Sequence, residues 1–167
     1  VTIANNASEG IEIVANGGEM LLEYEHTIFA DNGVRNLRAR GSNLPDLTIR
    51  SLGHNLLDDT PAGDADHAAV AGDLRNTNPL LAALADNGAP TPTHALLAGS
   101  PAIDAGDPAF SAPPLFDQRG VGFGRLQGGR IDIGALEVQV SSADFDADGD
   151  FDGSDFLAWQ RGFGIES

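Results

Sequence analysis

The sequence predicts an all-β chain wound as a solenoid of short strands, followed by a small and chemically different tail. Three observations point there. A β-branched pair followed shortly by asparagine recurs, as Thr2-Ile3 before Asn5-Asn6, Thr27-Ile28 before Asn32, and Thr48-Ile49 before Asn55. Short alternating runs close on turn signals: Ile11-Glu12-Ile13-Val14 ends at Asn16-Gly17, and Leu37-Arg38-Ala39-Arg40 at Gly41-Ser42-Asn43. The excess of Asp over Glu, 18 to 7, favours turns and works against long helices.

The Thr-Ile pairs are spaced by 25 and 21 residues, the length of one unit in a repeat architecture. In such a coil Ile3, Ile28 and Ile49 stack in one interior column. The corners fall at Asn and Gly, where left-handed backbone costs little, and the asparagines stack likewise. An antiparallel sandwich, with strands about every 8–12 residues, is the alternative. Residues 61 to 73 are polar and small and read as a loop. Asn78-Pro79-Leu80-Leu81-Ala82-Ala83-Leu84 reads as a short helix, with Asn78 as N-cap, Pro79 in the first turn and Asp86-Asn87-Gly88 as the stop. Six prolines between Ala89 and Asp117 exclude a continuous helix or central strand, so that stretch must wrap over the surface. Alternation returns in Arg130–Val138, which is expected to close the body as a strand.

The 167 residues carry 9 basic and 25 acidic side chains, a formal net charge of -16, and every basic residue is Arg. Such a surface repels phosphate backbones, so nucleic acid is excluded as a partner, and no apolar run is long enough to span a bilayer. The absence of cysteine removes disulfides, thiolate metal sites and a cysteine nucleophile. The chain opens at Val1 with no initiator Met or leader and is expected to be a piece of a longer protein with further coils upstream.

Charge divides the chain into 1–140, the body, and 141–167, a tail in which Asp144, Asp146, Asp148, Asp150, Asp152 and Asp155 fall within twelve residues. With Asp144 as position 1, the others occupy 3, 5, 7, 9 and 12, with Gly149 at 6 and Phe151 at 8. That is the spacing of an EF-hand-type calcium loop. Alternate carboxylates converge as such a loop curls round Ca2+, glycine takes the sharp turn, and position 7 coordinates through its carbonyl. The rival reading is a solvated acidic run, which would have no reason to keep this register. A short helix is expected over Ser154–Phe163, with Phe156, Leu157 and Trp159 on its apolar side.

The tail resembles a dockerin type I repeat, which likewise has Asp at position 12 where the general EF-hand has Glu. A dockerin carries two repeats and this sequence holds one, so a second either lies beyond Ser167 or the single loop acts alone as a calcium-stabilised joint. In the body, Ser51-Leu52-Gly53-His54-Asn55-Leu56, residues 93–106, Asp117-Gln118-Arg119-Gly120 and Asp132-Ile133-Gly134-Ala135-Leu136-Glu137 resemble the choice-of-anchor Q domain over roughly residues 47–138. That resemblance implies the last few coils and C-terminal cap of a right-handed parallel β-helix in secreted or cell-surface bacterial proteins. The dockerin resemblance implies attachment through a cohesin-like protein or a cell-surface polymer.

No catalytic constellation stands out. His26, His54, His67 and His94 lack zinc-type spacing, and His54 and His94 read as turn or core donors. Asp104, Asp117, Asp132 and Glu137 could supply the paired carboxylates of a glycosidase or lyase. The plainer reading has Asp104 and Asp132 hydrogen-bonding backbone amides or pairing with Arg119 and Arg130. The leading expectation is a noncatalytic region whose tail attaches or assembles. The alternatives are a fragment of a carbohydrate-active enzyme, a polysaccharide lyase or glycoside hydrolase with its catalytic coils upstream, and an adhesin that binds a polysaccharide or other polymer.

Overall fold

A computed structural model describes residues 1–15, 19–41, 47–59, 70–139 and 153–162. Among these residues the fold is all-β apart from one helix. The strands are β1 (Thr2–Ala4), β2 (Glu9–Ala15), β3 (Met20–Glu25), β4 (Ile28–Ala30), β5 (Arg35–Gly41), β6 (Leu47–Gly53), β7 (Leu56–Leu57) and β8 (Leu74–Arg75), and the helix is α1 (Gly153–Gly162). They form three sheets, β1-β4-β7-β8, β2-β5 and β3-β6. Every pairing between these strands is parallel, which removes the antiparallel sandwich.

The register corrects the repeat read from the sequence. Ala4 faces Ala30 and Glu9 faces Arg35, each 26 residues on; Met20 faces Leu47 at 27, and Ile28 faces Leu56 at 28. Ile3 therefore lies opposite Phe29, Ile28 lies between Thr2 and Leu56, and Ile49 sits in another sheet opposite Leu22. The expected isoleucine column does not form. The reason is burial: β4 is covered on both faces, so its two neighbouring apolar residues enter two different cores. Phe29 packs with Ile13, Tyr24, Leu37, Leu47, Ile49 and Leu57 on one side, and Tyr24 meets its ring edge-on at 5.5 Å. On the other side Ile28 packs with Ala30, Leu56, Ala102 and Ile133. Each fully buried large side chain contributes about 1.5–3 kcal/mol of transfer free energy.

The second core exists because the C-terminal half lies against the outer face of the first sheet. It is tied there by Gly134 N donating to the His26 carbonyl (3.0 Å) and Ala135 N to Thr2 Oγ1 (3.1 Å), and within it Ile133 N donates to Ala102 O (2.9 Å). As expected, the proline-rich stretch wraps without helix or strand. Two other expectations fail. Asn78 does accept a hydrogen bond from Leu80 N (2.8 Å), but Leu80 takes φ 52° and the chain then meets Leu96 and Thr93 in antiparallel bridges at Leu81 and Ala85 instead of coiling into a helix. Arg130–Val138 is not a strand: Ile131 through Gly134 are buried in succession, so packing on both faces replaces the alternation that a half-exposed strand needs.

Corner geometry is set by left-handed residues. Asn5 (φ 59°) and Asp31 (φ 53°) follow β1 and β4, while His26 (φ 45°) and His54 (φ 53°) follow β3 and β6. At the first corner the expected stacking of asparagines is present for Asn6 and Asn32. Asn6 Nδ2 donates to Asn32 Oδ1, Asn32 Nδ2 to Asn36 Oδ1, and Asn36 Nδ2 to Asp58 Oδ1, each at 2.8 Å. Asn55 instead serves the other corner, accepting from Thr27 N (2.9 Å) and donating to Ser51 Oγ (2.9 Å). On the outer faces Glu9–Arg38, Glu12–Arg40 and Glu23–Arg50 pair across neighbouring strands.

Candidate functional site

Of the six aspartates expected to hold calcium, Asp144, Asp146, Asp148, Asp150 and Asp152 lie outside the described residues. Asp155 stands in the first turn of α1, which begins at Gly153, position 10 of the loop numbering. The helix expected after the loop is therefore present, shifted by one residue. Phe156 and Leu157 are half exposed on it, and Arg161 in the last turn opposes the negative helix end. Among the described residues no three His, Asp or Glu side chains gather as a metal site. Among the same residues no helix is long and apolar enough to cross a membrane.

Of the four carboxylates weighed as an acid-base pair, Asp117, Asp132 and Glu137 come together in the body, while Asp104 is exposed and joins them through its backbone amide; their bonds say what they do. Asp117 Oδ2 accepts from Glu137 N (2.8 Å) and from Arg119 Nη2 (2.5 Å), and Asp117 Oδ1 accepts from Arg119 N (2.8 Å). Glu137 Oε2 accepts from Asp132 N (3.0 Å) and Arg125 Nη1 (3.3 Å). Asp132 accepts from the amides of Asp104 (2.8 Å) and Val138 (2.6 Å). Arg125 Nη2 closes the network on the carbonyls of Asp132 (3.1 Å) and Gly134 (3.0 Å).

All three carboxylates are buried, Asp117 at 7%, Asp132 at 2% and Glu137 at 1% exposure, so no polymer chain reaches between them. Burial pushes the Glu137 carboxyl up to about 7, with the amide of Asp132 and the Arg125 charge opposing and the Asp132 charge adding. Asp132 is raised for the same leading reason, against amide bonds from Val138 and Asp104. The arrangement is a clamp that satisfies the backbone of a strandless, buried segment. Asp132 does bond amides as the plainer reading expects. Arg119 pairs with Asp117, not with Asp104 or Asp132, and Arg130 donates to the Gly106 carbonyl (2.9 Å). Arg125 was missed, since nothing in its sequence surroundings marks it as the guanidinium that meets Glu137.

Beside the clamp opens a cleft of about 260 Å³, walled in part by Pro114, Phe116, Gln118, Arg125 and Ala135. The Arg125 side chain on its wall is 8% exposed and committed to the bonds above. His54 and His94 are donors, as expected: their Nδ1 atoms lie 3.1 and 2.8 Å from the carbonyls of Ala105 and Ala82. His26 was not singled out; it stacks on His54 at 5.8 Å. Comparison of the chain with known protein families, with curated proteins and with solved structures finds no match.

Proposed function

We propose that residues 1–140 are the last coils and C-terminal cap of a right-handed parallel β-helix of the choice-of-anchor Q kind, from a secreted or cell-surface bacterial protein. Residues 141–167 are then a dockerin-like Ca2+-binding tail that mediates attachment or assembly through a cohesin-like protein or a surface polymer. The observation that carries this reading is that all three sheets pair in parallel, the last pair, β7–β8, at an offset of 18 residues and β1–β4, β2–β5, β3–β6 and β4–β7 at offsets of 26 to 28 residues. A coil of three short strands has that length and pairs in that sense. Of the segments that resemble the family, those around Asp104, Asp117 and Asp132–Glu137 are joined by the buried clamp, and Ala102 and Ile133 cover the first sheet, which is how a cap acts. For the tail, support comes from the spacing of its aspartates and from a helix that begins at loop position 10.

The test is a calcium titration of the whole chain followed by calorimetry and by amide spectra. One site is expected, with the amides of residues 144–155 moving on saturation, and Asp148→Ala should abolish both. Absence of heat together with unchanged spectra would end the calcium reading while leaving the body's architecture to stand on its own.

A further inference from the structure

We propose that His26 is a proton-operated latch: its neutral ring holds the segment of residues 107–110 against the body, and protonation of that ring releases the segment. The two stacked corner histidines bond the chain with opposite polarity, His26 at Asp107 within this segment and His54 at Ala105 just before it. His54 Nδ1 lies 3.1 Å from the Ala105 carbonyl, which can only accept, so that nitrogen carries a hydrogen. His26 Nε2 lies 3.1 Å from Asp107 N, which can only donate, so that nitrogen is bare and the neutral ring carries its hydrogen on Nδ1. The rings are 27° from parallel, and Phe110 meets the His26 ring edge-on at 6.0 Å.

A proton therefore has different consequences at the two rings. Added to His54 it goes to Nε2 and leaves the bond to Ala105 intact. Added to His26 it occupies the lone pair that receives Asp107 N, turning an acceptor into a donor aimed at a donor. The charged groups facing His26 are Glu25 and Asp107, which favour protonation, and His54 and Arg125, which oppose it; the Val1 amino group donates to the His26 carbonyl. Burial leads the balance and holds the ring below its ordinary value, so the latch is closed at neutral pH.

The sign follows from the folded value being depressed. Closure is at full strength above about pH 6.5, and it weakens as the pH falls and the open segment takes up the proton. Release is local, because Gly106 N remains bonded to the Ile131 carbonyl (2.8 Å) and Arg130 holds the Gly106 carbonyl. It frees Asp107 through Phe110 and uncovers the histidine stack.

Amide exchange at Asp107 measures the latch directly. Corrected for intrinsic rates, its protection is expected to fall as the pH drops below about 6.5, while protection of Ile133 N, bonded to Ala102 O, stays constant. His26→Gln offers an acceptor oxygen that does not titrate and should make Asp107 protection independent of pH. Constant Asp107 protection in the wild-type chain from pH 7.5 to 5, or the same fall in His26→Gln, would overturn the proposal. A measurement that needs no variant is the imidazole nitrogen spectrum at pH 7.5. It should show His26 Nε2 unprotonated, and a hydrogen found on that atom would overturn the proposal equally.

Discussion

Replacing Asp117 by Asn changes one atom in a fully enclosed side chain and separates structural charge from shape. Asp117 accepts two backbone amides, those of Glu137 and Arg119 at 2.8 Å each, and the guanidinium of Arg119. Asparagine keeps one acceptor oxygen and turns its NH2 toward a donor, leaving one buried amide unsatisfied at about 1–3 kcal/mol. It also leaves the Arg119 charge, whose side chain is 9% exposed, without its counterion; breaking one partner of a buried pair costs about 3–5 kcal/mol. These losses overlap because the same oxygen serves both, and Arg119 retains the Glu137 carbonyl at 2.5 Å. We expect about 3–5 kcal/mol in total, or a fall in Tm on the order of 10–15 °C for a body of this size. Urea unfolding followed by circular dichroism gives the free energy, and Arg119→Met completes a double-mutant cycle. The double variant should be less destabilised than the sum of the singles by about 1–3 kcal/mol. A loss below about 1 kcal/mol, or additivity within about 0.5 kcal/mol, would refute the view that this pair anchors the clamp.

Three further outcomes follow from burial or its absence. Because the folded value of Glu137 is raised to about 7 from an ordinary 4.5, its ionisation opposes folding. Its contribution is therefore greatest at low pH and is lost as pH rises through 4.5 to 7, by roughly 3 kcal/mol. Glu137→Gln should flatten that fall in urea midpoints measured between pH 4.5 and 8, and an unchanged slope would assign it to another group. Phe29→Ala empties a site with 0% exposure in the larger core and should cost about 3–5 kcal/mol. Leu21→Ala on β3, 62% exposed, should stay within about 0.5 kcal/mol, as the same unfolding assay can show.

How far the sequence could be read depended on whether a signal was local. The alternating runs became β2 and β5, and the Asn6–Asn32 stack was legible because an amide that both donates and accepts can pass a hydrogen bond to the same residue one coil on. The repeat was misaligned because Thr2-Ile3 and Thr48-Ile49 share letters but not a sheet; only the two-sided burial of β4 fixes the register. At Asn78 the capping chemistry was right, yet a tertiary pairing with Thr93 and Leu96 outweighed helix propensity. Asp132 bonding to amides was foreseeable from its position beside Gly and apolar residues. The Arg125–Glu137 contact spans 12 residues of irregular chain, with no periodicity to announce it.

The amide chain from Asn6 through Asn32 and Asn36 to Asp58 also says where this protein can tolerate a change of length. The step from Ala4 to Glu9 is repeated without change from Ala30 to Arg35, and it is bridged by side chains that each reach several partners, Asn32 bonding Asn6, Asn36 and the Ile3 carbonyl, and Asn36 bonding Asp58 and Asp59. An inserted residue there would strand several of those amides at once. Extra residues are instead taken up elsewhere: the offset grows to 27 by the pairing of Met20 with Leu47, and to 28 at the bulge between Tyr24 and Glu25. Related chains should therefore vary in length at those two places and keep the asparagine corner free of gaps, so that a gap at the corner marks a chain whose winding has been rebuilt.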